Sequence, residues 1–253
     1  ILKVRKITNL NTSSYVLFSN GNDSRTIKIP NMIDEVISSG RLFSNVEGDV
    51  HIANLEATTS IYLGTATGII RIDNLTGTGT LFFLFSQKYI IGNISCSLQP
   101  LIDSSAGANI EMHFNNSIIT TGAGIKIGNQ LVANTLITGN IVESPLITAS
   151  QIRDGVIELN NFTGDFKAGL FDTSVNGNVT VIIRNSTVKF NGKAMNFAAD
   201  LNMSLEVYNS TIIQATPTFL TTGGGASCSV KFIGSTTNAT ALSDNGSVVI
   251  TTY

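Results

Sequence analysis

The sequence predicts an all-β protein whose short strands stack as a parallel β-solenoid, also called a parallel β-helix. Short stretches of alternating apolar and polar residues recur along most of the chain. Each stretch ends on an asparagine or glycine that follows the previous one by 19 to 25 residues. Charged residues make up only 13% of the chain, whereas roughly 25% is typical of soluble domains. A low charge suits a fold that stacks equivalent side chains about 4.8 Å apart.

The repeat begins at Gly48, and the residue that closes each copy is expected to lie at a corner between two strands. Asparagine suits a corner because it tolerates left-handed backbone angles and its side chain bonds neighbouring amides, so stacked asparagines can form a ladder. Together with the final strand, the repeats predict about nine to ten coils over residues 46–253. The closing residues are Asn54, Asn74, Asn93, Asn116, Asn140, Asn161, Asn185, Asn209 and Gly234.

Side chains two and four positions before each closing residue are apolar, which predicts that they point into the core. The fifth repeat is mixed, because Leu136 and Thr138 stand at these positions. An antiparallel β-sandwich also has short strands and polar turns, but it does not explain a repeat that keeps its phase. The intervening positions should point outward, and they include four isoleucines, Ile90, Ile137, Ile182 and Ile233.

Outward isoleucines suggest a covered face, so we expect three solenoids to pack together as a homotrimer. Shallow apolar patches on a monomer are the alternative. At the end of the chain, the last strand reaches Tyr253 without a polar cap. We expect a partner chain or further sequence to cover that end.

The first 45 residues lack the repeat and are predicted to form a small N-terminal connector or cap. Strands are expected at residues 3–7, 15–18 and 26–29, with a tight turn between the last two. Residues 30–37 are predicted to form a short helix, with Asn31 at its start and Gly40 beyond its end. Such a helix would cover the open edge of the first coil.

Composition excludes several classes of function. The net charge of −2 provides no basic surface for nucleic acid, so no nucleic-acid partner is expected. The longest apolar runs are too short for membrane insertion. Cys96 and Cys228 lie too far apart for a metal-binding spacing or a disulfide framework, and we expect no metal and no other cofactor.

The best polar constellation on the predicted outward face combines two carboxylates with an amide, a guanidinium and a phenol. Glu158 and Glu206 should lie two coils apart, roughly 9–10 Å, with Arg184 between them. That separation is near the upper end of the range for the two carboxylates of an inverting glycosidase, which makes the glutamates candidate catalytic residues. Asn160, Arg184 and Tyr208 are candidate binding residues. The alternative is a set of ion pairs on a solvated face.

A second cluster of outward polar residues is predicted near the start of the repeat. His51, Arg71 and Asp73 are its members, and they are further candidate binding residues with the same alternative. The chain has no Trp and five Tyr, so few aromatic faces are available to bind sugar rings.

The N-terminal sequence KITNLNTSSYVLFSNGNDSRTIKIPNMIDEV, at residues 6–36, resembles a short module common in bacteriophage tail fibres and tailspikes. The rest of the chain is similar to the β-helical shafts of such proteins. The resemblance implies a trimeric virion appendage that joins other tail proteins through its N-terminus and acts outside the cell. It also implies adhesion to a polysaccharide of the bacterial host surface. Two alternatives remain open: a polysaccharide depolymerase (glycoside hydrolase or lyase), and a secreted bacterial adhesin, which should be monomeric.

Overall fold

The chain is all-β, and its parallel strands wind into a β-solenoid. No helix long and apolar enough to cross a membrane occurs among the described residues. The computed structural model describes residues 3–9, 16–19, 32–44, 50–63, 69–77, 80–84, 88–96, 99–103, 109–119, 125–128, 130–144, 147–148, 152–173, 177–192, 194–197, 201–223, 228–243 and 248–253.

The first ladder of parallel strands carries the alternating stretches that the sequence analysis identified. Each strand pairs with its counterpart in the neighbouring coil, and the parallel direction excludes the antiparallel sandwich. The strands of the first ladder are β3 (Met32–Ser44), β4 (Val50–Leu63), β5 (Ile69–Gly77), β7 (Lys88–Cys96), β9 (Asn109–Ile119), β11 (Gln130–Ser144), β13 (Ile152–Phe166), β15 (Gly177–Arg184), β18 (Leu201–Tyr208), β21 (Cys228–Ile233) and β24 (Val248–Thr252).

Two further parallel ladders follow the corner. In several coils a long strand of the first ladder continues past the corner, and in later coils separate short strands replace that extension. These short strands form the second ladder together with the end of β13, and they are β16 (Thr187–Phe190), β19 (Thr211–Gln214) and β22 (Thr236–Thr237). The third ladder contains β6 (Thr80–Leu84), β8 (Gln99–Asp103), β10 (Ile125–Gly128), β12 (Ile147–Thr148), β14 (Phe171–Thr173), β17 (Met195–Phe197), β20 (Phe219–Gly223) and β23 (Ala241–Ser243).

The N-terminal strands pair in the same parallel sense. β1 (Lys3–Asn9) and β2 (Val16–Ser19) pair with the first and last parts of β3, and β3 pairs with β4. The helix predicted at residues 30–37 is therefore wrong from Met32 onward, where the chain is extended. β-Branched residues favour a strand there. Neighbouring strands on both sides satisfy its backbone hydrogen bonds, whereas a helix this short is only marginally stable. The strand predicted at residues 26–29 lies outside the described residues.

The inward phase predicted from the sequence is confirmed in most repeats. The side chains two positions before the corner are at most 5% exposed, and those four positions before it are also buried where described. Aromatic side chains beyond the corner add to the same core. Its members from the predicted phase are Ile52, Ile70, Ile72, Tyr89, Ile91, Met112, Phe114, Ile157, Leu159, Val181, Ile183, Leu205, Val207, Val230 and Phe232, and the added aromatic residues are Phe162, Phe166 and Phe190.

The fifth repeat is shifted by one residue relative to the prediction. Ile137 is fully buried and pairs with Met112 and Leu159, so the prediction that it points outward is wrong. The corner conformation in this coil belongs to Gly139, with φ of 94°, rather than to Asn140. A Cβ at Gly139 would lie 1.9 Å from the Phe114 carbonyl oxygen, so only glycine fits this close approach.

Asn54 and Asn74 lie within the continuous strands β4 and β5 and do not take the left-handed conformation that the repeat predicted, but four later corner asparagines do. Their φ angles lie between 47° and 54°, and Gly234 takes the same conformation at 57°. Neighbouring amides are also linked, since Asn74 Nδ2 donates to Asn54 Oδ1 over 3.1 Å and Asn140 Nδ2 donates to Asn116 Oδ1 over 2.7 Å. The left-handed asparagines are Asn116, Asn161, Asn185 and Asn209.

A ladder of serine hydroxyls, which was not predicted from the sequence, runs immediately behind the corner. Ser210 Oγ accepts a hydrogen bond from the Ser186 backbone N–H over 3.1 Å. Ser235 Oγ accepts one from the Ser210 N–H, and Ser186 Oγ accepts one from the Phe162 N–H, each over 3.1 Å. The hydroxyls thus satisfy backbone donors that the corner removes from the strand ladders.

Candidate functional site

Outward side chains of β13, β15, β18 and β21 form two parallel columns, which we call the outer patch. Adjacent strands in these ladders lie about 4.8 Å apart, so equivalent side chains repeat at that distance. In each column, every residue pairs with the next one across neighbouring strands. The first column contains Glu158, Ile182, Glu206 and Lys231, and the second contains Asn160, Arg184, Tyr208 and Ile233.

Glu158 is held by two neighbours that the sequence placed beside it. Arg184 Nε lies 3.4 Å from Glu158 Oε1, and Asn160 Nδ2 donates to the same oxygen over 3.2 Å. The Asn160 amide oxygen in turn accepts a long hydrogen bond of 3.5 Å from Asn185 Nδ2. These side chains are half-exposed or exposed, so the ion pair is a modest contribution to stability and the group remains accessible to a ligand.

Tyr208 is the centre of the outer patch. The Arg184 guanidinium carbon lies 4.1 Å from the centroid of the Tyr208 ring, and Lys231 Nζ lies 5.6 Å from it. The Tyr208 hydroxyl donates to Glu206 Oε2 over 2.6 Å and accepts from Lys231 Nζ over 3.4 Å. Two cation–π contacts and two hydrogen bonds therefore fix the orientation of this ring.

The two candidate catalytic glutamates lie two strands apart, as the sequence predicted, but the residue between them differs. Ile182 pairs with Glu158 on one side and with Glu206 on the other. Arg184 lies on the same strand two residues later, where it contacts Glu158 and the Tyr208 ring. An apolar side chain, rather than a cation, therefore occupies the position between the two carboxylates.

The second predicted cluster also forms. Asp73 Oδ2 lies 2.7 Å from His51 Nε2, and Asp73 Oδ1 lies 2.7 Å from Arg71 Nε. Partial burial by itself would raise the pKa of Asp73, but the hydrogen bonds and positive charges of Arg71 and His51 outweigh it and hold the pKa below its ordinary value. The aspartate thus contacts both the His51 ring and the Arg71 guanidinium group.

The outward isoleucines do not form the continuous apolar column from which a trimer was inferred. Ile137 is in the core, and the other three are half-exposed. Ile182 stands between two glutamates, and Ile90 pairs with Arg71 and His113. On this face of the described residues, apolar and charged positions alternate, so the isoleucines do not indicate a partner chain.

Lys231 is the one polar member of the outer patch that was not predicted from the sequence as a site residue. The signal was present, because Lys231 stands three positions before the Gly234 corner and therefore beside Glu206. Among the described residues, no group of three or more His, Cys, Asp and Glu side chains is arranged to hold a metal ion. The patch is therefore made of hydrogen-bonding, charged and aromatic groups.

Comparison with known proteins found no match: no family model, no curated protein and no solved structure matches the chain.

Proposed function

We propose that this chain is the receptor-binding shaft of a bacteriophage tail fibre or tailspike, which attaches the virion to a polysaccharide of the bacterial surface. The observation that carries the proposal is the outer patch. It combines hydrogen-bonding, charged and aromatic side chains at strand spacing on a parallel solenoid. Groups of this kind recognise hydroxyl-rich ligands through several directional contacts at once.

A repeating surface suits a repeating polymer. Beside the patch, the corner residues Asn161, Asn185 and Asn209 are exposed. Beyond them, the second ladder stacks one threonine per coil, and Thr236 Oγ1 donates to Thr211 Oγ1 over 3.3 Å. Each hydrogen bond to a sugar hydroxyl is weak, but many equivalent donors and acceptors along one direction allow a chain molecule to bind in successive positions.

The resemblance of residues 6–36 to a tail-fibre module supplies the rest of the proposal. The sequence repeats form about nine to ten coils over residues 46–253, and residues 1–45, whose strand β3 extends the first ladder, connect these coils to other tail proteins. Three copies assemble as a homotrimer on the virion and act outside the cell. Trimerisation raises the avidity of binding, because three weak sites engage the same surface at once.

Light scattering on a sizing column tests the assembly, and a polysaccharide-binding assay tests the activity. The chain has a mass of 26.8 kDa, so the proposal expects a particle of three times that mass. It also expects retention on immobilised surface polysaccharide that falls when Arg184 is replaced by alanine. Lys167→Gln, beyond the end of β13 and outside the second ladder, is the matched control and should leave retention unchanged. A monomer that binds would favour a secreted adhesin, and a chain that binds no surface polysaccharide would refute the proposal.

A polysaccharide depolymerase is the second candidate, favoured by the placement of Glu158 and Glu206 two strands apart. At about 4.8 Å per strand their separation is about 9.6 Å, near the upper end for an inverting pair. Release of oligosaccharide that is lost in Glu158→Gln and Glu206→Gln, with binding retained, would establish it. The absence of any oligosaccharide release from a polysaccharide that the chain binds would exclude it.

A further inference from the structure

The outer patch contains one cation, Lys231, for which the described residues provide no direct ion pair. Glu158 has Arg184 at 3.4 Å, and Glu206 accepts a hydrogen bond from the Tyr208 hydroxyl. Lys231 contacts that neutral hydroxyl over 3.4 Å and the Tyr208 ring at 5.6 Å from its centroid. Glu206 pairs with Lys231 across the strands, but in the described part of the chain no carboxylate oxygen lies within 4.0 Å of the ammonium group. Lys231 is half-buried, so its ammonium group has lost some water without gaining an anion.

An apolar and aromatic column runs beside this ammonium group. Ile233 follows Tyr208 in the second column of the patch. The next position belongs to Tyr253, because its N–H donates to the Phe232 carbonyl over 3.0 Å and its carbonyl accepts from the Gly234 N–H over 3.3 Å. That pattern places Tyr253 opposite Ile233 and about 9.6 Å from Tyr208 along the solenoid.

We propose that this strip binds an acidic polysaccharide, with sugar rings along Tyr208, Ile233 and Tyr253 and a sugar carboxylate on Lys231. The inference rests on the proposed function and names the class of polysaccharide. Tyrosine and isoleucine offer flat apolar area to the C–H faces of sugar rings. An anion gains more from a half-buried ammonium group than from a fully solvated one, because the local dielectric constant is lower. A neutral polymer would cover Lys231 without supplying a direct ion pair.

Titration calorimetry against acidic and neutral polysaccharides tests the inference. The probes are alginate, hyaluronan and xanthan as the acidic set, and dextran, pullulan and levan as the neutral set. We expect binding of at least one acidic polymer, weakened by higher salt, and no comparable binding of the neutral set. Lys231→Gln should weaken the acidic interaction about tenfold, because a charged hydrogen bond is lost. Lys231→Arg keeps the charge and should stay within about threefold of the unmodified chain.

Two further variants separate the strip from the rest of the surface. Tyr253→Ala should weaken binding several-fold by removing one aromatic contact. Lys167→Gln should have no effect, because Lys167 lies beyond the end of β13, outside the second ladder, and is paired with Asp165 at 3.2 Å. Thermal melts of all the variants establish that each retains its fold.

The outcomes distinguish this inference from the function on which it rests. Binding of neutral polymers with unchanged affinity in Lys231→Gln would overturn the inference and leave attachment to a polysaccharide standing. Binding of acidic polymers that Lys231→Gln or Tyr253→Ala does not weaken would overturn the placement on this strip. If no polymer of either set binds and none is retained from bacterial surfaces, both proposals fail together.

Discussion

Replacing Ser210 with alanine should destabilise the solenoid although it removes a single oxygen atom. Ser210 is 4% exposed, and its hydroxyl accepts from the Ser186 N–H over 3.1 Å while donating to the Tyr208 carbonyl over 2.7 Å. The Tyr208 carbonyl keeps a second hydrogen bond, from the Asn185 N–H over 3.0 Å. The Ser186 N–H has no such replacement. A buried, unsatisfied N–H costs about 1–3 kcal/mol, and the lost donor bond adds about 1 kcal/mol.

The expected loss is therefore about 2–4 kcal/mol in the free energy of unfolding. For a chain of this length each 1 kcal/mol lowers the melting temperature by roughly 2–4 °C, which predicts a fall of about 5–15 °C in a melt followed by circular dichroism. Thr187→Ala is the matched control, because Thr187 is exposed and lies next to Ser186. A decrease no larger than that of the control would show that water or a shifted backbone replaces the serine hydroxyl, and that the ladder does not stabilise the corner.

Four other substitutions test the register and the second cluster. Gly139→Ala should lower the free energy of unfolding by about 2–4 kcal/mol, because it places a Cβ against the Phe114 carbonyl oxygen at a residue with positive φ. Chemical denaturation measures this loss. Ile137→Ala should lower the free energy of unfolding by about 2–5 kcal/mol because Ile137 is fully buried, and Leu136→Ala should lower it clearly less because Leu136 is half-exposed. Equal losses would contradict the shifted register. The pKa of Asp73 is lowered in the folded state, so its contribution is present above the ordinary aspartate range and is lost as pH falls through the folded value. Stability measured from pH 7 to pH 2 should therefore fall less steeply in Asp73→Asn; parallel curves would contradict this.

Most of the solenoid could be predicted because its two strongest signals are local. Alternation identifies the buried face, and asparagine marks the left-handed corner, so Phe114, Ile183 and Asn185 stand where their spacing placed them. The fifth repeat could not be resolved in the same way. Asn140 keeps its amide contact with the coil before while Gly139 takes the corner, and a one-residue shift of this kind depends on packing between coils.

The predicted N-terminal helix shows that local sequence signals can be overruled by pairing with distant strands. Residues 30–37 contain the cap and stop signals of a short helix, but they do not reveal that neighbouring strands lie on both sides. The candidate site was predicted better, because Glu158, Arg184 and Tyr208 meet through strand register alone. The direction in which Arg184 and Lys231 reach depends on rotamers, which the sequence does not encode directly.

The serine and asparagine corners define a repeating unit whose contacts do not depend on how many units the chain contains. Ser186 bonds to Ser210 across 24 residues, and Phe162 bonds to Ser186 across the same interval, so each unit presents its successor with the contacts that it receives from its predecessor. Excising or duplicating one whole unit would therefore rejoin matching surfaces. Such a chain can lengthen in evolution by copying a short stretch of its own gene, with each copy adding about 4.8 Å to its reach.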